Sequence, residues 1–348
     1  MRLSSVWLQH FRSYSNKAFN FSKGVTLIVG DNARGKTNIL EAIALLSTGI
    51  SFRAQKTEEM VQWGHEVGHV KGLALDEKQN ETTLEVVITT GTVHGERTQK
   101  RTYRIDGASR RRKDFIGQLP VVLFRPEDLD LMTDGPSLRR AFLNEVLSQS
   151  FPEYRSSLES YEKALKRRNR LLDMLREGEV TRASFAFWDQ LLIKHGNIVT
   201  QHRRDFIDFL SKQSDFPMNF RVEYDASTVS EKRLHQYAVE EVGAGHTLVG
   251  PHKDDFLVFL HGKKEKDLMV YGSRGEQRMG VLWLKIQEME YIDSVHKERP
   301  TLLLDDIFSE LDKKHQQMVV ELARHQQTIF TTTEPHSFKK DDVTMIEL

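Results

Sequence analysis

Between Val25 and Leu46 the chain reads VTLIVGDNARGKTNILEAIALL, and no other stretch restricts its fold so tightly. The segment fits G-x-x-x-x-G-K-[ST], with Gly30, Gly35, Lys36 and Thr37 in the fixed places. Upstream, the β-branched run Val25-Thr26-Leu27-Ile28-Val29 reads as a buried strand. Downstream, Ile39, Leu40, Ile43 and Leu46 recur at helical spacing. Strand, glycine loop and helix together aim consecutive backbone N–H groups and a positive helix end at a polyphosphate. The residue types suit that task. Gly30 and Gly35 permit a close approach that a Cβ would block, Lys36 reaches the β and γ phosphates, and the Thr37 hydroxyl ligates Mg²⁺. Asp31, Asn32, Ala33 and Arg34 complete the loop, with Asn38 just beyond. The bland alternative is a chance glycine turn before a helix, and the correct flanking elements argue against it.

Two distant segments carry complementary chemistry. Pro300-Thr301-Leu302-Leu303-Leu304-Asp305-Asp306 is an apolar strand ending in two carboxylates, suited to holding Mg²⁺ and orienting a water. Tyr271-Gly272-Ser273-Arg274-Gly275-Glu276-Gln277-Arg278 opens a helix that continues through Leu282, Leu284 and Ile286, and so makes a second anion site. A chain with one phosphate loop has no second nucleotide of its own for it. The segment is therefore expected to serve the nucleotide of a partner subunit.

The chain has 348 residues, more than one compact core usually holds, so a main domain with an insertion or second lobe is expected. No apolar run approaches the roughly 20 residues of a membrane span, and the N-terminus MRLSSVWLQHFRSY does not read as a signal peptide. With no cysteine the chain forms no disulfide or thiolate metal site, which suits the cytoplasm. Lys+Arg and Asp+Glu both total 50, so any nucleic-acid binding must come from local patches rather than net charge.

Along the chain, strands are expected near residues 1–9, Phe19 to Phe21, Val67 to Leu75, Thr82 to Thr90, Lys100 to Ile105 and Leu119 to Phe124, with a turn at Asp106-Gly107. From Pro136 to Lys212 the pattern turns to long polar helices. The expected domains are a head formed by residues 1–130 and 213–348, and a helical insertion, an arm, at 131–212. Strand character returns at Phe220 to Tyr224 and Phe256 to Leu260. The basic runs Arg110 to Lys113, Arg139-Arg140, Lys166-Arg167-Arg168 with Arg170, and Arg203-Arg204 read first as solvated faces, and only secondarily as phosphate contacts. His65-Glu66-Val67-Gly68-His69 matches H-E-x-x-H, which binds zinc when both histidines share a helical face. Here Gly64 and Gly68 weaken a helix, and His69 to Leu75 reads as a strand. Positions four apart in a strand lie about 13 Å apart, too far for one metal.

Several of these segments, in this order and spacing, resemble the RecF family of bacterial DNA replication and repair proteins. They are Phe11-Arg12-Ser13-Tyr14, the phosphate loop, Phe124-Arg125-Pro126-Glu127-Asp128-Leu129, Gly135 to Arg140, Gly250-Pro251-His252-Lys253-Asp254-Asp255, Ser273 to Arg278 and Leu303 to Asp312. The family is similar to the ABC-type ATPase heads of SMC proteins without their long coiled coil. The resemblance implies an α/β fold: an ABC-type P-loop ATPase head with antiparallel β elements and an inserted helical domain. It further implies an ATP- and Mg²⁺-dependent, DNA-binding homodimer that acts on double-stranded, gapped or junction DNA. With RecO and RecR it would place RecA on single strands.

The resemblance also assigns roles. Ser273 and Gly275 of one subunit would contact the γ-phosphate held by Lys36 of the other, and Asp312 would belong to the loop that crosses the interface. Thr37 and Asp305 would hold Mg²⁺, and Arg12 and Ser13 would lie near the base or phosphates. Thr332 would stand where many ABC proteins have a histidine. Asp306 occupies the place of the usual catalytic glutamate and is one methylene shorter, so a slow ATPase used as a switch is expected, with Lys36 as the other catalytic residue. The chain departs from the family at Ala33-Arg34, commonly Gly-Gln or Gly-Ala, and at Arg274 and Glu276, both commonly Gln. Glu276 is expected to bring negative charge to the helix start, with Arg274 as an offset. DNA would be gripped through its phosphates, because no groove-reading helix is evident. Competing readings are the ATPase subunit of a transporter or a nuclease complex, and a scaffold that uses ATP only to stabilise its fold.

Overall fold

The computed structural model describes residues 1–212, 216–262, 265–333 and 343–348. The chain folds into two compact units, Met1–Asp128 with Glu288–Leu348, and Leu129–Gln287. The second unit thus runs well beyond the helical insertion expected at 131–212 and takes in residues to Gln287 that the sequence reading gave to the head. The strands that follow the long helices pair with each other and pack on those helices.

In the first unit the chain forms β1 (Arg2–Phe11), β2 (Tyr14–Asn20), β3 (Val25–Val29), α1 (Lys36–Thr48), β4 (Val67–Leu75) and β5 (Glu81–Thr89). A small hairpin of β6 (Thr92–Val93) and β7 (Glu96–Arg97) follows, then β8 (Arg101–Ile105), β9 (Ala108–Arg110), α2 (Arg112–Phe115) and β10 (Val121–Phe124). Six of these strands make an antiparallel sheet in the order β2-β1-β4-β5-β8-β9. The loose alternation of the N-terminal residues has a physical cause. A register shift between Leu3 and Ser5 bulges β1 and changes which residues face the core. The Asp106-Gly107 turn joins β8 to β9 with both residues at positive φ, as a two-residue hairpin requires.

The second unit holds three long helices, α3 (Pro136–Ser150), α4 (Pro152–Arg176) and α5 (Ala186–Leu210). After them come β11 (Phe220–Asp225), α6 (Glu231–Gln236), α7 (Ala238–Ala244), β12 (Asp255–Leu260), β13 (Lys266–Asp267), α8 (Leu268–Tyr271) and α9 (Arg274–His296), of which the residues from Glu288 onward belong to the first unit. The strands pair in the order β11-β12-β13. Tyr154, Ser157, Tyr161, Ala164, Arg168 and Leu172 recur every three or four residues along the buried side of α4.

The first unit continues with β14 (Thr301–Asp305), α10 (Lys313–Ala323), β15 (Thr328–Thr332) and β16 (Val343–Glu347). These strands and two earlier ones make an all-parallel sheet in the order β10-β14-β15-β3-β16. Every residue of β14 and β15 is buried, the pattern of parallel strands covered on both faces. Helix α1 packs against both sheets, and Ile39 to Leu46 join side chains from β1, β4 and β5 to Val121, Leu123, Leu303 and Ile329 in one core. Buried Gln327 adds a polar stitch: its Oε1 accepts from Leu3 N (2.8 Å), and its Nε2 donates to the Leu3 and Ser22 carbonyls (2.6 and 2.8 Å).

Candidate functional site

The parallel sheet puts the ends of β3, β14 and β15 side by side, where loops leaving parallel strands converge. The loop after β3 carries Gly30 to Gly35 into α1, whose first turn contains no acidic residue to neutralise the helix's positive end. Gly35 caps that helix at φ 101°, and a Cβ there would come within 2.8 Å of the Tyr14 hydroxyl and 3.0 Å of Ser13 Oγ. Glycine is needed on both counts. Ala33 also has positive φ, 66°, a conformation that glycine adopts without strain. Lys36 is buried, and its Nζ donates to the carbonyls of Gly30 (2.6 Å) and Asp31 (3.0 Å), which holds the ammonium across the loop.

Facing the loop, Asp305 ends β14. Its Oδ1 accepts from Thr37 Oγ1 (3.0 Å) and from Thr331 Oγ1 (2.7 Å). Burial lifts the Asp305 carboxyl above the usual carboxylate range, the neighbouring Glu127 charge pushes the same way, and the two hydroxyls and Arg53 pull it back. Asp306, at φ 48°, donates its N–H to Thr331 Oγ1 (3.1 Å). Asn32, Ala33, Gly35, Lys36, Thr37, Asn38, Asp305, Asp306 and Arg53 line one cavity of about 330 Å³.

The Phe11 to Tyr14 motif is the turn of the β1–β2 hairpin, and it lies over the start of α1. Ser13 Oγ accepts from Asn38 Nδ2 (3.0 Å), and the Tyr14 phenol, pushed up to about 12 by burial, donates to the Gly35 carbonyl (3.2 Å). The Arg12 guanidinium makes a two-pronged ion pair with buried Glu41 of α1 (2.7 and 2.8 Å) and donates to the Glu59 carbonyl (2.7 Å), which ties the hairpin turn to the helix.

The remaining expected residues fall elsewhere. Thr332 closes β15 opposite Val29, is buried, and does not line the cavity; Thr331 makes the carboxylate contact. Thr331, Arg53 and Glu127 are the site residues that sequence reasoning missed. The only available signal for Thr331 was the run of threonines ending an apolar strand. Asp312 caps α10, accepting from His315 N (3.0 Å), and this bond holds its carboxyl below the usual range. His65 precedes β4 and His69 lies on it, and among the described residues no three His, Cys, Asp or Glu side chains gather as a metal site.

In the second unit, Ser273, Arg274 and Gly275 are exposed at the start of α9. Ser273 N donates to Glu276 Oε2 (2.7 Å) and Glu276 N to Ser273 Oγ (3.3 Å), a reciprocal capping box. Lys266 bonds the same carboxylate (2.7 Å), and these contacts lower the Glu276 carboxyl to about 2. Glu276 therefore organises the turn it was expected to burden. Gly272 passes so close to the Leu268 carbonyl that a Cβ would lie 2.2 Å from it, which fixes the path into Ser273.

The Gly250 to Asp255 motif is a buried junction of the same unit. Asp254 accepts from Arg203 Nη1 (2.8 Å), Ser227 N (2.7 Å) and the Tyr224 hydroxyl, and Asp255 receives both prongs of Arg139 (2.6 and 2.8 Å). Arg168 pairs with Glu241 (2.7 Å) and Asp189 (2.6 Å). Three basic runs that read as solvated faces thus each turn one arginine inward, because a buried carboxylate of this unit requires a partner.

The chain matches the family model for the RecF/RecN/SMC N-terminal domain over residues 2–346. It is 34% identical to the DNA replication and repair protein RecF of Heliobacterium modesticaldum, over 99% of this chain and 95% of that protein. The chain belongs to the RecF family. Another RecF, from Geobacillus kaustophilus, is also 34% identical, with 98% of this chain and 95% of the relative covered. Among solved structures, the recombination mediator protein RecF in complex with ATPrS, from the RecFOR pathway, superposes with a TM-score of 0.89 at 29% identity. That match covers 99% of this chain and 96% of the other; a structure of RecF with ATP matches with the same TM-score at 28% identity. The expected α/β fold of an ABC-type ATPase head with antiparallel elements and helices is the RecF-family fold observed here.

Proposed function

We propose that this RecF-family chain is an ATP-dependent switch protein of DNA replication and recombinational repair. The observation that carries the reading is the contact of Thr37 and Thr331 with the buried Asp305 carboxylate, in the cavity that Lys36 also lines. A hydroxyl beside a carboxylate whose burial is poorly compensated fits Mg²⁺, which takes one or two carboxylates and substrate phosphates rather than a protein cage. When bound, Mg²⁺ supplies charge neutralisation at the β and γ oxygens.

The chain's own residues divide the work. The loop amides and the start of α1 bind phosphate oxygens, and Lys36 turns its ammonium from the Gly30 and Asp31 carbonyls to the β and γ phosphates. Thr37 and Asp305 would hold the ion, and Thr331 keeps the Asp305 carboxylate oriented. Asp306 accepts the proton of the attacking water; its short side chain makes hydrolysis slow. The exposed Ser273 and Gly275 meet the γ-phosphate bound by a second copy, and Asp312 joins that contact. The solvent-facing Val270 and Tyr271, 66% and 70% exposed, suit an adjoining surface for that copy. ATP thereby favours the closed dimer, which grips gapped or junction DNA by its phosphates, and hydrolysis resets it. Relatives named in the RecFOR pathway support action with RecO and RecR; placing RecA on single strands, in the cytoplasm, is the further step of this reading. Among the described residues no helix is long and apolar enough to cross a membrane.

Calorimetric titration of Mg·ATP into wild type and Lys36→Ala tests the site. Wild type binds, and the variant weakens binding at least about tenfold through the loss of charged hydrogen bonds. Equal affinity in the two proteins contradicts the reading.

A further inference from the structure

A second cavity in the first unit, of about 900 Å³, shares Asn38 with the phosphate-loop cavity and is lined by Arg12, Ser13, Gln62, Trp63 and His65, among others. Its volume lies in the range of small-ligand pockets, about 300–1,000 Å³. Trp63 is 98% exposed. By contrast, Trp283 is 1% exposed, and the Trp7 indole N–H bonds Asn16 (2.7 Å). A fully solvated indole leaves a large apolar face with nothing to cover it.

The turn that presents this indole is well anchored. Gln62 N donates to the His10 carbonyl (2.8 Å), His65 N donates to the Gln62 carbonyl (3.1 Å), and Gly64 takes the positive φ, 84°, that closes the turn. Behind it the His10 and His65 rings stack at 3.7 Å between centroids. Arg12 is held in this wall by Glu41 and the Glu59 carbonyl, which engage the edge of its guanidinium.

We propose that Trp63 is the stacking platform for the base of the bound nucleotide, and that the Gln62 to His65 turn forms the nucleoside subsite. The inference rests on the Mg·ATP reading above. A nucleoside joined to phosphates in the loop must leave that cavity on a side roomy enough to hold it, and the cavity across Asn38 provides both the room and an aromatic face. The indole then contributes affinity for the base and none for the phosphates.

Titrations of Mg·ATP and of Mg·tripolyphosphate into wild type, Trp63→Ala and Trp63→Phe separate the two contributions. Trp63→Ala weakens ATP about tenfold, as expected for loss of one base–aromatic stack, and leaves tripolyphosphate affinity unchanged. Trp63→Phe retains most of the ATP affinity. Unchanged ATP affinity in Trp63→Ala overturns the proposal, as does an equal loss of both ligands, which would make Trp63 a support of the loop. If wild type binds neither ligand, the phosphate-site reading itself fails together with this one. If wild type binds tripolyphosphate through Lys36 and Trp63→Ala is silent toward ATP, only the platform fails.

Discussion

Asp305 concentrates the chemistry of the phosphate site into one side chain. Burial raises its carboxyl above the ordinary range, so folding favours the protonated form. The stability this group contributes is therefore present at low pH and declines as pH rises through its ordinary value toward the raised one. At neutral pH the ionised carboxylate is a cost that Mg²⁺ would relieve. Asp305→Asn, which keeps an oxygen to accept from Thr37 and Thr331, should raise the ligand-free melting temperature by a few degrees and abolish the further rise that Mg·ATP gives wild type. A lower ligand-free melting temperature in the variant would contradict this account. The motif residues Gly30 to Asn38, Asp305 and Asp306 were all legible in the sequence, because their chemistry depends on spacing along the chain. Thr331 was not. Which of two adjacent strand residues faces a carboxylate depends on the pairing of β15 with β14, and a one-residue change of phase reverses the face.

Elements decide what the motifs do. The Phe11 to Tyr14 segment was recognisable as a motif, yet only the β1–β2 hairpin shows that Arg12 and Ser13 are its turn and that Arg12 braces α1 through Glu41. Similarly, Glu276 read as an unwanted charge until the start of α9 proved to be a capping box with Lys266 beside it. The Gly250 to Asp255 motif offers a test at this scale. Thr247's carbonyl only accepts, so His252 Nε2 carries the proton (2.9 Å) while Nδ1 accepts from the Tyr161 hydroxyl (2.6 Å). Burial lowers this imidazole from 6.5 to about 4. Protonation thus favours the unfolded chain, and the stability due to neutral His252 is full above pH 6.5 and lost as pH falls toward about 4. Denaturation by urea between pH 7 and pH 4 should show a decline of up to about 3 kcal/mol from this group. His252→Gln, which can still meet both partners, should flatten that part of the profile. A profile unchanged by the substitution would place the titration elsewhere.

For the molecule as a whole, the fold class was readable because strand, loop and helix around Lys36 admit few architectures. The extent of the second unit was not. Periodicity marks where helices end, but the inward arginines Arg139, Arg168 and Arg203 and the strands β11 to β13 extend this core to Gln287 through pairings distant in sequence. Strand β16 also escaped notice, since Val343 to Glu347 acquires its role only by pairing with β3. The functional account asks one thing more of the whole molecule, that a nucleotide joins two copies. Sedimentation velocity of wild type and Ser273→Arg, with and without Mg·ATP, addresses this most directly. Wild type should be monomeric alone and dimeric with Mg·ATP, while Ser273→Arg should bind ATP and stay monomeric. A wild type that remains monomeric at saturating Mg·ATP, or a variant that dimerises equally well, would contradict it.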